Sequence, residues 1–246
     1  MNKFESELLR LPSCLDSNLK EEYEKTVQLI LSAGIQSRRQ LIAVLADPQM
    51  NFALVEAVCW VMARLNNTRG FRIALMRILK SEQPSVRTSA VLALGHLSAK
   101  RSVLPLLDLA TKDQNLDVRK LAIHALGEIG DKRATRTLIR ILMSENEDIS
   151  VRGEAAEALG YLQDSNAFDP LVTVLNADEA EVRFWAAFAL AWLADIRAIP
   201  FLKRQAVIET AEISRWGSVR KEILWAITAI RRKSREKGES KFQKKK

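Results

Sequence analysis

One helical template recurs six times in this 246-residue chain, and the recurrence leaves few folds open to it. The copies start at Leu54, Val86, Val118, Val151, Val182 and Val219, at offsets of 32, 32, 33, 31 and 37 residues. Five of the six open with Val-Arg, which sets Arg87, Arg119, Arg152, Arg183 and Arg220 in one column; the first copy has Val55 there. Four residues after each start come Val58, Ala90, Ala122, Ala155, Ala186 and Ile223. Eleven residues after it come Leu65, Leu97, Ile129, Leu162, Leu193 and Ile230. Positions 0, 4 and 11 fall on one stripe of a helix. A shorter amphipathic segment precedes each copy, at 41–45, 73–79, 104–109, 138–143, 171–175 and 199–203. Pro105, Pro170 and Pro200 sit near three of these starts, where a missing amide donor costs least. Asp131, Asp164 and Asp195 precede segments whose free amides they can cap. No stretch alternates like a strand. A lone pair of helices this short cannot bury its apolar stripe, so the pairs must stack. The expected fold is all-α: an alpha-alpha superhelix, or solenoid, of about six helix pairs.

Residues 1–36 fit no copy of the template. Two helical pieces, 4–11 ending at Pro12 and 19–32 ending near Gly34, read as an N-terminal helical cap over the first pair. The repeat array then occupies 37–232. The last segment, 233–246, is basic and lacks an apolar period, so it reads as a disordered tail. From 231 onward the chain has nine Lys or Arg, among them Arg231, Arg232, Lys233, Lys244, Lys245 and Lys246, against two Glu. The net charge of +8 therefore belongs to the tail, and the rest of the chain is close to neutral. A nearly neutral body argues against a nucleic-acid groove and leaves the tail as a weak electrostatic contact. Cys14 and Cys59 have no paired or metal-ligand spacing, which suits a reduced, cytoplasmic setting. The longest apolar run, 184–194, is half of what a membrane span needs, and the charged N-terminus does not read as a signal peptide.

Catalytic motifs are missing from the pattern. The nine glycines are scattered, and no nucleophile stands in an arrangement with a base. His124 and Glu128 share a helix face at a spacing that serves metal ligation, and His96 occupies the column of Glu128 one copy earlier. Further ligands are lacking, so surface histidines are the expectation, with no metal and no cofactor. The arginine column reads as a structural ladder reaching acidic or carbonyl groups in a nearby turn, with Asp117, Asp148 and Glu181 close by in sequence.

The stretches ALGEIGDKRA at 125–134 and VRGEAAEALG at 151–160 resemble the HEAT-like repeats of the phycobilisome-lyase type. The resemblance covers about 38–232 and implies a paired-helix solenoid whose second helices line its concave face. On that face positions +2, +6 and +10 of the template would be exposed. They are polar in the middle of the chain, whereas the C-terminal half brings Tyr161, Phe184, Phe188, Trp192 and Trp225 together, flanked by Trp185 and Trp216. Glu154 and Glu157 border this stripe. An apolar surface of that extent marks an interaction site, and Trp and Tyr are frequent hot spots. The alternatives are that the tail, the connection 208–218 or a second copy covers the stripe, or that part of it turns into the core. The leading expectation is a non-catalytic adaptor that binds a protein partner carrying basic and apolar residues. The resemblance also implies a phycobilin lyase or a factor that handles phycobiliproteins, with a bilin stacked on the aromatic residues. Nucleic-acid binding through the tail is a third reading.

Overall fold

The structure, a computed structural model, describes residues 69–243 together with Ile42, Val55, Val58, Cys59 and Val61, with side chains as far as Glu236. The expected cap at 1–36, Trp60, Cys14 and Lys244 to Lys246 lie outside the described residues. The chain forms two compact units, Met1–Ala125 and Leu126–Lys246.

In the first unit α1 (Arg69–Ile78) buries Phe71, Ala74, Leu75 and Ile78, spaced 0, 3, 4 and 7. Next come α2 (Pro84–His96), with proline in its first turn, α3 (Val103–Lys112) and the greater part of α4 (Leu116–Ile129). Val55, Val58, Cys59 and Val61 are buried, and Cys59 is not in a disulfide. Arg87, at the start of α2, holds Asp113 in the turn after α3 through two hydrogen bonds of 2.8 and 2.7 Å. It also donates to the Ser81 carbonyl at 2.8 Å.

The second unit contains α5 (Thr135–Leu142), α6 (Ile149–Leu162), α7 (Phe168–Val174), α8 (Ala180–Leu193), α9 (Ile199–Ile208) and α10 (Val219–Gln243). Its core is the template stripe: Val151, Ala155, Leu159, Val182, Ala186, Leu190, Val219, Ile223 and Ile230 are all buried. Asp131, Asp164 and Asp195 each accept from the amide two residues ahead, at 3.0, 3.1 and 2.9 Å. They cap the 3-10 turns Lys132–Ala134, Ser165–Ala167 and Ile196–Ala198, from which α5, α7 and α9 start, and so act one turn earlier than the sequence suggested. Close helix approach is set by small residues. A Cβ on Gly160 of α6 would stand 2.8 Å from Ala189 Cα of α8, and one on Gly127 would stand 3.1 Å from Ala158 Cα.

The ladder arginines reach carbonyls and acids, but the acids are not those closest in sequence. Arg152 donates to the Leu142 carbonyl at 3.1 Å and to Glu179 at 2.8 Å; Arg183 grips Glu209 at 2.6 and 3.0 Å and donates to two carbonyls, those of Ala177 and Asp178. As with Arg87 and Asp113, each acid lies 26 or 27 residues further on, in the turn of the following helix pair. The acid comes a few residues before the next arginine of the column, so the spacing falls just short of one repeat and the ladder ties successive pairs together. Arg119 donates to the Asp113 carbonyl at 3.0 Å, and Arg220 is exposed.

Two differences from expectation concern the C-terminal end. The connection 208–218 folds into a two-stranded hairpin, β1 (Glu212–Ile213) against β2 (Gly217–Ser218), a strand pair too short to show as alternation. The second is α10, which runs on to Gln243, so most of the segment expected to be a disordered tail is helical. Earlier template helices stop twelve residues after their start at Ser98, Gly130, Gln163 and Ala194, all left-handed with φ of 45, 67, 48 and 55°. Arg231 holds the equivalent place and does not turn left-handed. The Lys-, Arg- and Glu-rich residues after it are good helix formers, and an exposed Arg232–Glu236 pair at 3.8 Å follows the (i, i+4) pattern.

Candidate interaction site

The aromatic residues of the second unit form one connected cluster. Phe188 of α8 is its hub, with ring centroids 6.2 Å from Tyr161 of α6, 5.4 Å from Trp185, 6.0 Å from Trp192 and 6.1 Å from Trp225 of α10. The Phe188 and Trp225 planes are 16° apart and stack, whereas most other contacts are edge-to-face, an arrangement the ring quadrupoles favour. Tyr161 meets Trp192 edge-on at 5.4 Å. Trp216, carried on the tip of the hairpin, meets Trp185 at 5.1 Å and stacks on Phe184 at 6.3 Å. The close seat of Trp185 depends on Gly153, where a Cβ would lie 2.8 Å from the indole Cδ1.

Not every residue read from the +2, +6 and +10 columns is at the surface. Phe184 is buried beneath Trp216, and Gly153 and Ala229 are buried as well. The +2 column turns partly toward the next helix pair, and the hairpin closes over Phe184. The exposed part of the cluster consists of Trp192 (37%), Trp216 (43%) and Trp225 (47%), with Tyr161, Trp185 and Phe188 half-covered behind them. Leu224 (49%) lies next to Trp225 in sequence. His96 and Glu128 are exposed and His124 is half-buried.

Charge borders this surface on two sides. On α6, the Tyr161 hydroxyl donates to Glu157 Oε1 at 2.7 Å. Burial raises the Tyr161 pKa well above that of an ordinary phenol, and the Glu157 bond raises it further, so the hydroxyl stays a donor at neutral pH. A second border is cationic. Lys233 stands 4.8 Å above the Trp192 ring and donates to the Ala191 carbonyl at 3.3 Å, near the C-terminal end of α8. Arg215 lies 5.2 Å over Trp216. The chain thus places two of its own cations on its exposed tryptophans. The sequence reading assigned Lys233 to a tail and missed this role; its place fourteen residues after Val219, on a helix without a stop signal, was the available clue. Glu222 of α10 was missed too. Its Oε1 is buried without a hydrogen-bond partner among the described residues, and burial raises its pKa.

The arrangement offers aromatic faces for cations and apolar groups, with a carboxylate and a phenol beside them. Among the described residues no helix is long and apolar enough to cross a membrane. Three solved structures share the fold. The complex of CpcE and CpcF of phycocyanin lyase from Nostoc sp. PCC7120 aligns at TM-score 0.55 and 22% identity, over 68% of this chain and 67% of that one. YibA of Escherichia coli aligns at 0.52 and 17% identity over 94% and 93%. An engineered protein aligns at 0.54 and 22% identity over 94% and 68%. No curated protein matches the chain in sequence. The HEAT repeats pattern matches 38–120, 74–149 and 135–220, together well over half the chain, with the Val-Arg helices that start at Val86, Val118, Val151 and Val182 inside the matched segments. The chain belongs to the HEAT-repeat family.

Proposed function

We propose that this protein is a non-catalytic adaptor that holds a segment of a protein partner on the aromatic surface of its second unit. The observation that supports the reading most directly is the connected cluster with Trp192, Trp216 and Trp225 exposed at its edge. Rings already fixed by their neighbours lose little freedom on binding, which is what makes exposed aromatics effective anchors. The Glu157 carboxylate beside the rings favours a partner with Arg or Lys next to apolar residues. Trp192, Trp225 and Phe188 carry most of the contact in this reading, Tyr161 and Glu157 orient it, and Phe184 and Trp185 support it from below.

The test is affinity capture from a native lysate with the whole protein, a Phe188→Ser/Trp192→Ser form and a form ending at Arg231. A partner retained by the whole protein and lost from the double variant, at unchanged helicity, is the expected outcome. Retention by the double variant overturns the proposal. Loss only from the shortened form would assign the contact to the basic end of α10.

A second reading is supported by the fold shared with a phycocyanin lyase complex together with the stacked Phe188–Trp225 pair. Flat aromatic faces of that kind suit a linear tetrapyrrole, and the function would then be a bilin lyase or the handling of phycobiliproteins. Titration of the purified protein with a bilin decides it: a red-shifted, saturable absorbance change lost in Phe188→Ser/Trp192→Ser supports it, and an unchanged spectrum overturns it.

A further inference from the structure

The outer face of α10 stands in the place where α6 carries its half of the interface with α8, and it keeps the arginine of that half. On α6 that half is built from Arg152, Gly153, Ala156 and Gly160. Arg152 bonds Glu179 in the next pair, while Gly153 and Gly160 face Trp185 and Ala189 of α8, and Ala156 between them is fully buried. Template register maps these four positions onto Arg220, Lys221, Leu224 and Thr228 of α10. All four are exposed, Leu224 at 49%, and Arg220 makes no hydrogen bond or ion pair among the described residues. On the paired helix α9, Phe201 is 47% exposed where its counterpart on α7, Pro170, is half-covered. Leu224 and Phe201 thus add exposed apolar surface to the polar residues that the end of an array requires.

Charge decides among occupants. Arg220, Lys221 and Arg231 lie along this stripe, all exposed, whereas Glu222 has an oxygen turned inward and buried. Two copies of the face would oppose these cations to themselves, which disfavours a symmetric pair of this chain. At three earlier positions the ladder arginine takes a carboxylate from the turn before the next helix: Asp113, Glu179 and Glu209. We propose that the outer face of α10, centred on Arg220 and Leu224, docks an acidic amphipathic helix of a partner protein whose carboxylate fills the place of those three acids. Lys221 and Thr228 are bulkier than the glycines of α6, so the helix sits further out than α8 does on α6 and its docking is reversible. The site borders the aromatic surface, since Lys221 lies one turn before Trp225, but it does not depend on the function proposed for that surface.

The probe is a lactam-stapled peptide of residues 113–129, the segment that supplies Asp113 to Arg87, labelled for fluorescence anisotropy against the full chain. The expected result is saturable binding that weakens tenfold or more with Arg220→Glu and with Leu224→Asp. Both side chains are exposed, so both variants should keep the parent's circular dichroism. An Asp113→Asn peptide should lose the same factor and become indifferent to Arg220→Glu, the signature of a direct pair in a double-mutant cycle. Phe188→Ser/Trp192→Ser should bind the peptide as the parent does. Absence of saturable binding, or binding lost only from the aromatic variant, overturns the proposal. Sedimentation showing that the chain alone dimerises through Leu224 overturns it in favour of a second copy.

Discussion

Two carboxylates in the last helix pairs, Glu209 buried and Glu222 half-buried, behave in opposite ways. Glu209 is held by the Arg183 guanidinium at 2.6 Å, and its pKa is pulled down from 4.5 to about 2 by that bond first, with the Ala211 amide and Gln205 helping against desolvation. A depressed folded pKa gives stability that is fully present above the unfolded value and is lost as the pH falls through the folded one. The second unit should therefore lose stability between about pH 5 and 2, and Glu209→Gln should flatten that part of its acid denaturation curve. Arg183→Met leaves the carboxylate buried beside its weaker partners and should cost about 3–5 kcal/mol in urea unfolding at pH 7. Glu222 behaves the other way. Burial alone raises its pKa, so its contribution is present below the unfolded value of 4.5 and lost as the pH rises through the folded one. Glu222→Met should raise Tm at pH 7 and do little at pH 4; a lower Tm at pH 7 would show that the carboxylate has a partner worth keeping. Neither effect could be read from sequence, because Arg183 and Glu209 are 26 residues apart and the column placed the arginine without its acid.

At the scale of the helix, spacing was the legible quantity and termination was not. The template located α2, α4, α6, α8 and α10, and the shorter amphipathic stretches located their partners, because apolar period and burial are one fact seen twice. It also brought Tyr161, Phe188, Trp192 and Trp225 into one place before any contact was known. What it missed was local: a hairpin set by Gly217 at φ 85°, and a helix that continues because Arg231 stays right-handed. Both change the site, since the hairpin buries Phe184 and the continuation delivers Lys233 to Trp192. Lys233→Ala should leave the fold intact and make Trp192 more accessible, so acrylamide quenching of the tryptophan emission should rise relative to a Trp192→Phe/Lys233→Ala control. Glycines on α6 give a sharper prediction. Gly160→Ala gains about 1 kcal/mol in helix propensity but drives a Cβ to 2.8 Å from the Ala189 backbone. Backbone cannot rotate aside, so the variant should be destabilised by about 1–3 kcal/mol. Gly153→Ala meets the indole of Trp185 instead and should register first in the near-ultraviolet circular dichroism of the cluster.

For the molecule as a whole, stability is distributed by neighbour. Among the described residues the largest helix packings run α6 with α8, α8 with α10 and α5 with α6, so each of these elements depends on those beside it. Two compact units make a two-state description unsuitable, and a substitution should act mainly on the unit that contains it. Leu159 is fully buried in the second unit, and Leu159→Ala should cost about 2–5 kcal/mol there. Amide exchange is the measurement that localises the cost. Amides of α6, α8 and α5 should lose protection by the full amount, those of α10 by part of it, and those of α1 to α3 by little. Loss of the same size in α1 to α3 would mean that the repeats unfold together. In that case an event at the aromatic surface of the second unit would reach the first unit through global cooperativity. If the loss stays local, a partner bound at α8 and α10 stabilises its own unit alone, and the first unit is free to hold something else.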